Sequence, residues 1–176
     1  SRPDELPRVK GILSAFREAG FYTAYITNQP GNHSYVDFFA MQGDEHHPIR
    51  KELRKTKRRL YDSDMLPYLS RLMASDHAKL FVVLHTYGSH FSYRDRYPQE
   101  EGFFPIDRRY SGSTADSLML RNAYDNAIRQ TDKFISSVID MLASGDRAAS
   151  MLYISDHGED VFDDDRERFL HSSPDV

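Results

Sequence analysis

Cysteine is absent from this 176-residue chain. That excludes a disulfide scaffold, a thiolate metal site and a cysteine nucleophile, but it assigns no compartment, because exported proteins can also lack cysteine. No apolar run approaches the roughly 20 residues that span a bilayer, and no signal peptide opens the chain. The formal net charge is only -4, too small for a general nucleic-acid binder or a partner of strongly acidic proteins, so any electrostatic specialisation is local. No G-x-S-x-G elbow, Walker loop or dinucleotide glycine fingerprint occurs, which disfavours three large enzyme classes. Internal repeats are lacking too.

What is there is the composition of one ordinary globular core, with 39% hydrophobic and 12% aromatic residues, and a single domain is the default. Ser1-Arg2-Pro3 is unlike a natural beginning, and the chain stops soon after His171, so it reads as a fragment of something longer.

Three rounds of helix and strand follow one another. Leu6, Val9, Ile12, Leu13 and Phe16 recur at helical spacing before Gly20, and the aromatic and β-branched run 21–27 then reads as a strand closed by Asn28-Gln29-Pro30-Gly31. Residues 36–48 carry no clear signal. Met65, Leu66, Leu69, Leu72 and Met73 mark a second helix. Leu80-Phe81-Val82-Val83-Leu84 is a continuous apolar run, as expected of a central strand covered on both faces, and it ends in His85-Thr86-Tyr87-Gly88-Ser89-His90. After a surface excursion through Pro98, Gly102, Pro105 and Gly112, residues Leu120, Tyr124, Ile128, Thr131, Ile135, Val138 and Leu142 predict a long helix closed by Gly145. A third strand is predicted over 150–155, ending in Asp156-His157-Gly158-Glu159. This order points to an open, mostly parallel α/β sheet, in which ligands sit beyond the carboxyl ends of the strands. All three predicted strands end in polar loops at that edge.

Asp156 and His157 are the strongest chemical signal. Zinc accepts a carboxylate oxygen and an imidazole nitrogen, and adjacent residues can reach one ion where a strand breaks into a turn. The alternative is a helix N-cap, with Asp156 capping and Glu159 completing a capping box. Both readings stand on spacing alone. His171, past the acidic stretch 160–165, and His90, set between Gly88-Ser89 and the aromatic Phe91 and Tyr93, are further candidates. His85 reads as structural, and His33, His46, His47 and His77 have no pattern behind them. Arg121, Asp125, Arg129 and Asp132 suit ordinary ion pairs on a helix surface. The basic run 50–59 reads as a solvated helix face, with anionic lipid headgroups or nucleic acid as its functional alternative. Without interleaved aromatic residues, a base-stacking platform is disfavoured.

Taken in order, Leu84-His85-Thr86-Tyr87-Gly88-Ser89-His90, Tyr93 with Arg96-Tyr97-Pro98, Asn122-Ala123-Tyr124-Asp125-Asn126 with Thr131-Asp132, Ser155-Asp156-His157-Gly158-Glu159, and Leu170-His171 before Pro174 resemble the motifs of the phosphoethanolamine transferases. These enzymes form part of the sulfatase branch of the alkaline-phosphatase-like superfamily. The resemblance extends from Leu6 to Pro174 and includes Thr27-Asn28-Gln29.

The resemblance implies an α/β/α sandwich with a mostly parallel central sheet, of which residues 1–176 would be the central part of a single sulfatase-like catalytic domain, truncated at both ends. It implies a zinc enzyme of the bacterial inner membrane, anchored by upstream transmembrane helices, with its catalytic domain in the periplasm. Such enzymes move phosphoethanolamine from phosphatidylethanolamine to lipid A or another envelope glycan through a phosphorylated threonine, so the partners are a phospholipid donor and a lipid or glycan acceptor, not nucleic acid. Carried over residue by residue, Asp156 and His157 match two zinc ligands. His90 and His171 match histidines that bind phosphoryl oxygens or a second divalent metal and help protonate a leaving group. The family's threonine nucleophile and glutamate ligand precede these motifs and have no counterpart here, so the fragment by itself is expected to be inactive. The lack of cysteine departs from relatives braced by disulfides and suggests a divergent branch. A sulfatase or phosphoglycerol transferase on the same fold is the nearest alternative. From another class, a non-catalytic module could use the basic run on membrane surfaces.

Overall fold

In the computed structural model, residues 9–31, 35–105, 113–161 and 169–170 are described. The chain divides into two compact units, Ser1–Thr86 and Tyr87–Val176, where the sequence suggests one domain.

The first unit is built on a three-stranded parallel sheet in the order β2-β1-β3, with β1 at Tyr22–Thr27, β2 at Glu45–Pro48 and β3 at Leu80–His85. Helix α1, Ile12–Glu18, precedes β1 and ends at Gly20, whose φ of 82° is a left-handed conformation that glycine adopts without a Cβ penalty. The helix starts later than the apolar spacing predicts: Val9 lies outside it and is exposed, and Leu6 lies outside the described residues.

Strand β1 is the centre of the unit, buried from Thr23 through Thr27. Its Tyr25 packs with Leu13 of α1, Ala40 at the end of α2 (Tyr35–Ala40), and Phe81 and Val83 of β3, while Phe16 stacks on Phe81 at 3.8 Å between ring centroids. Residues 36–48, silent in the sequence, form α2 and β2. Asp44 sets the register of β2, because its carboxylate accepts Thr23 N–H at 2.9 Å and Thr23 Oγ1–H at 2.8 Å while its own N–H donates to Thr23 O. A strand of only four residues, all of them polar or proline, shows no apolar alternation for periodicity to detect.

Strand β3 is not the doubly covered central strand expected of its apolar run. Among the described residues it pairs with β1 alone and is half-buried throughout. Helix α4, Leu66–Met73, follows a 3-10 turn at Asp62–Met65 and buries Leu69 and Leu72 as its spacing predicts.

The second unit is organised around α5, Ser113–Ser144, 32 residues long. Its buried stripe is Ala123, Ala127, Thr131, Phe134 and Val138, rotated from the predicted face: Ile128 is exposed, and two alanines take the innermost positions. The reason is volume. Tyr93 and Tyr97, from what the sequence suggests is only a surface excursion, are buried against Ala123 and Ala127 together with Val161, and a small residue on the helix admits a large ring opposite. Asn126 is buried here as well. Its Oδ1 accepts Phe103 N–H at 2.8 Å and Phe104 N–H at 2.9 Å, and its Nδ2 donates to Phe104 O at 2.9 Å, which folds the excursion onto the helix.

The predicted third strand, 150–155, does not form. The segment pairs with no strand among the described residues, and Leu152 and Ile154 are 88% and 81% exposed. A strand exists only with a partner edge, and an apolar run does not specify one. The pairing that does form is β4, Asp160–Val161, antiparallel to β5, Phe169–Leu170, within what the sequence presents as an acidic loop.

Candidate functional site

At the carboxyl ends of β1 and β3, the polar residues converge as expected of a parallel sheet. Thr27 Oγ1 lies 3.0 Å from His85 Nδ1, Asn28 N–H donates to His85 O at 3.0 Å, and Gln29 Nε2 donates to Thr86 O at 3.0 Å. His85 is therefore a tie between strand ends, the structural role its position suggests. Asn28 is 1% exposed, and its Nδ2 donates to Asp62 Oδ1 at 2.8 Å while Arg50 Nε donates to its carbonyl. Its Oδ1 is buried without a hydrogen bond among the described residues. An unmet buried acceptor costs about 1–3 kcal/mol, so among the described residues this strand end keeps a polar group without a partner.

In the second unit, Asp156 and His157 sit in an exposed turn rather than a helix N-cap, because no helix follows them among the described residues. Asp156 Oδ1 accepts His157 N–H at 3.0 Å, and its other oxygen is 3.7 Å from His157 Nε2. His157 Nδ1 lies 2.8 Å from Gly158 O. A carbonyl can only accept, so Nδ1 carries the hydrogen of this contact, and Nε2 is the nitrogen turned to Asp156. His90 is arranged the same way, with Nδ1 donating to Phe91 O at 2.7 Å and its own carbonyl accepting Arg96 Nε–H at 2.9 Å. Arg96 in turn lies 3.6 Å from the Tyr87 ring centroid, and Tyr87 meets the His90 ring edge-on at 5.4 Å.

The donor set tests the expected metal. A carboxylate oxygen and an imidazole nitrogen are ligand types that zinc accepts, so the pair could hold two positions of its usual four. No group of three or more His, Asp or Glu side chains able to hold a metal ion forms among the described residues, so His90 does not join Asp156 and His157 in a common ligand cluster. His171 lies outside the described residues.

The sequence reading missed what anchors this turn. Tyr93, 1% exposed, donates its hydroxyl hydrogen to Glu159 Oε2, two residues past His157. Burial first, then the Glu159 carboxylate, pushes the Tyr93 hydroxyl well above its ordinary range. Asp160 and Val161 follow, both buried, so the exposed Asp156-His157 turn runs directly into buried residues. Tyr93 recurs in the motif set but carries no periodic signal. On α5, where the sequence suggests surface ion pairs, Arg129 lies over the Phe103 ring at 4.4 Å and Arg121 Nε donates to Val161 O.

The parallel sheet of the first unit, with polar residues at its strand ends, is an open α/β arrangement of the kind that binds ligands beyond those ends. The Sulfatase family profile matches residues 3–174, and the chain belongs to that family. Among curated relatives it is 28% identical over 166 residues to the phosphoethanolamine transferase EptC of Escherichia coli O18:K1:H7, covering 92% of this chain and 29% of that protein. It is 27% identical over 175 residues to the Kdo(2)-lipid A phosphoethanolamine 7''-transferase of Salmonella typhimurium, covering 99% and 30%. The chain thus spans less than a third of the length of the curated relatives it matches. The crystal structure of the C-terminal periplasmic domain of EptC from Escherichia coli superposes with a TM-score of 0.78 at 27% identity, covering 91% of this chain and 45% of that one. The same domain in complex with Zn superposes at 0.75, covering 91% and 46%. The fold is therefore the mostly parallel, sulfatase-like α/β fold that the sequence implies.

Proposed function

We propose that this chain is part of the catalytic domain of a zinc-dependent phosphoethanolamine transferase, acting on phosphatidylethanolamine as donor and on lipid A or another envelope glycan as acceptor. The observation that carries the reading is the Asp156-His157 pair, with Asp156 Oδ2 3.7 Å from His157 Nε2 and His157 Nδ1 2.8 Å from Gly158 O. The similarity to transferases of this type along 92% or more of the chain supports it, as does the zinc complex of a neighbour that shares the fold. In this reading the domain faces the periplasm, as the corresponding domain of EptC does.

Asp156 and His157 would hold the zinc, and His171 and His90 would face the phosphoryl group. Zinc bound there would withdraw charge from a hydroxyl and from phosphoryl oxygens. His90, its Nδ1 held by Phe91 O, would accept or return a proton at Nε2. The covalent step forms a bond from a threonine Oγ to phosphorus as the bond to the diacylglycerol oxygen breaks, and that oxygen takes up a proton. Acceptor attack then releases the threonine. The threonine is not among the motif residues of this chain.

The test is mass analysis of envelope lipids from cells carrying the full-length protein or its His157→Ala variant. Loss of phosphoethanolamine addition is expected, with loss of stoichiometric zinc. Unchanged addition in the variant would remove His157 from the reaction, and a zinc-free, fully functional protein would sink the reading.

A further inference from the structure

The basic run 50–59 does not form the single solvated helix face that its sequence suggests. It breaks into a helical turn, Ile49–Glu52 (α3), a 3-10 turn at Arg54–Thr56, and Lys57 with a left-handed φ of 54°. Buried Ile49 and Leu60 pin the two ends, so the loop between them is displayed as a fixed protrusion. It holds seven basic residues and one acidic, a charge of +6 in a chain whose total is -4, so the remaining residues sum to -10. The concentration of positive charge is local.

Three of the basic residues are engaged or close to an acidic neighbour: Arg50 donates to Asn28 O and Arg58 pairs with Asp64, while Arg59 has interactions of its own. Lys51, Arg54, Lys55 and Lys57 are exposed and make no salt bridge among the described residues. The single acid, Glu52, does not neutralise them at close range, because its carboxylate is turned to His47 Nδ1 at 3.1 Å and accepts the Tyr68 hydroxyl hydrogen at 2.8 Å. Lys51, Arg54 and Lys55 line a shallow open depression with Pro48 and Glu52.

An apolar element adjoins the cations. Met41, 68% exposed just after α2, places its Sδ 3.1 Å from His46 Nδ1, and that same half-buried His46 ring feels the charges of Asp37 first, then of His47, Glu52 and Lys51. Met41 and the start of the basic run thus share one flank of the unit, with exposed Tyr35 and Val36 on the helix leading to it. Cations beside exposed apolar side chains are the composition of a surface that meets a bilayer interface. A nucleic-acid groove would want aromatic side chains among the cations, and the run holds none.

We propose that Lys51, Arg54, Lys55 and Lys57, with Met41 beside them, form a docking surface for the anionic headgroups of a lipid bilayer. The surface seats the unit on the membrane by charge, independently of any transfer reaction. The experiment sediments the intact domain that contains these residues with vesicles of phosphatidylcholine alone, or of phosphatidylcholine mixed with phosphatidylglycerol. Binding to the mixed vesicles only, weakening as salt rises, is expected. The triple variant Lys51→Gln/Arg54→Gln/Lys55→Gln should bind about a hundredfold more weakly, since each cation near an anionic surface contributes about a factor of five. These side chains make no salt bridge among the described residues, so circular dichroism should show the variant folded as the wild type. Lys133→Gln, which removes an exposed cation paired with Glu101 on the other unit, should bind as the wild type, and so should His157→Ala, which separates this surface from the proposed metal chemistry. Equal binding to neutral vesicles, undiminished binding by the triple variant, or tighter binding to a single-stranded oligonucleotide than to the mixed vesicles would each overturn the proposal.

Discussion

Tyr93→Phe removes one oxygen atom from the second unit and leaves the ring in place. The ring's contacts with Ala123, Ala127 and Val161, and its edge-on contact with Tyr124 at 5.0 Å between centroids, are retained. What is lost is the hydroxyl hydrogen that Glu159 accepts. A hydrogen bond to a charged group contributes about 1.5–3 kcal/mol, and here the carboxylate left behind is half-buried and has one donor fewer to meet its charge. The expected cost is therefore about 2 kcal/mol of stability, read as a lower denaturant midpoint with an unchanged slope. Because Glu159 lies two residues past His157, the loss should also be local. Amide hydrogen exchange should speed up at residues 156–161 more than along α5, and zinc affinity should fall about tenfold, the lower end of what loss of a group behind a ligand costs. Tyr93→Leu, which removes the ring as well, should cost more in stability than Tyr93→Phe. A Tyr93→Phe protein with wild-type stability and wild-type exchange at 156–161 would refute the view that this hydroxyl anchors the turn.

Two further outcomes follow from the first unit. Glu45 accepts from Arg71, His47 and Tyr22, and the Arg71 guanidinium beside it is the largest influence holding its carboxyl down at about 2, against an ordinary 4.5. A folded-state pKa below the unfolded one stabilises at pH above 4.5, and the contribution fades as the pH falls toward 2. With Arg71 half-exposed, the contribution is about 1–2 kcal/mol. Glu45→Gln should therefore be less stable than wild type at neutral pH by that amount, with the two converging in acid. A difference that stays constant down the whole pH range would contradict the assignment. Asn28→Asp would set a second carboxylate against Asp62, in place of an amide that now donates to it at 2.8 Å, at a position 1% exposed. It should lower stability by about 3 kcal/mol or more at neutral pH and recover in part on acidification, as one of the two carboxylates takes up a proton. A neutral-pH midpoint equal to wild type would show that Asn28 is not held as described.

The elements legible in the sequence are those with a long period or a strong composition. β1 and β3 announce themselves by aromatic, β-branched and apolar runs, and α4 and α5 by their spacing. β2 does not, because its residues Glu45-His46-His47-Pro48 have no strand composition, and its place comes from Asp44 reaching Thr23 across the sheet. The buried stripe of α5 is rotated from the face that large apolar residues mark, since Ala123 and Ala127 weigh little in such a pattern yet are the ones that admit Tyr93 and Tyr97. The stretch 150–155 departs in the opposite direction, with the composition of a strand and no partner edge among the described residues.

By itself the sequence determined the class of fold, the parallel order of β1 and β3 and the polar chemistry at their ends, and it marked the Asp156-His157 pair as a candidate for metal binding. These are properties of neighbours along the chain, where residue type and spacing act directly. Only the tertiary structure decided which carbonyl meets Nδ1 of His157 and of His90, that Tyr93 holds Glu159, that Glu45 gathers Arg71, His47 and Tyr22, and that the basic run is broken into a pinned loop. The Tyr93–Glu159 and Glu45–Arg71 contacts depend on groups far apart in sequence meeting at hydrogen-bond distance, and the free energy of such a contact is set by burial and geometry that no local pattern encodes.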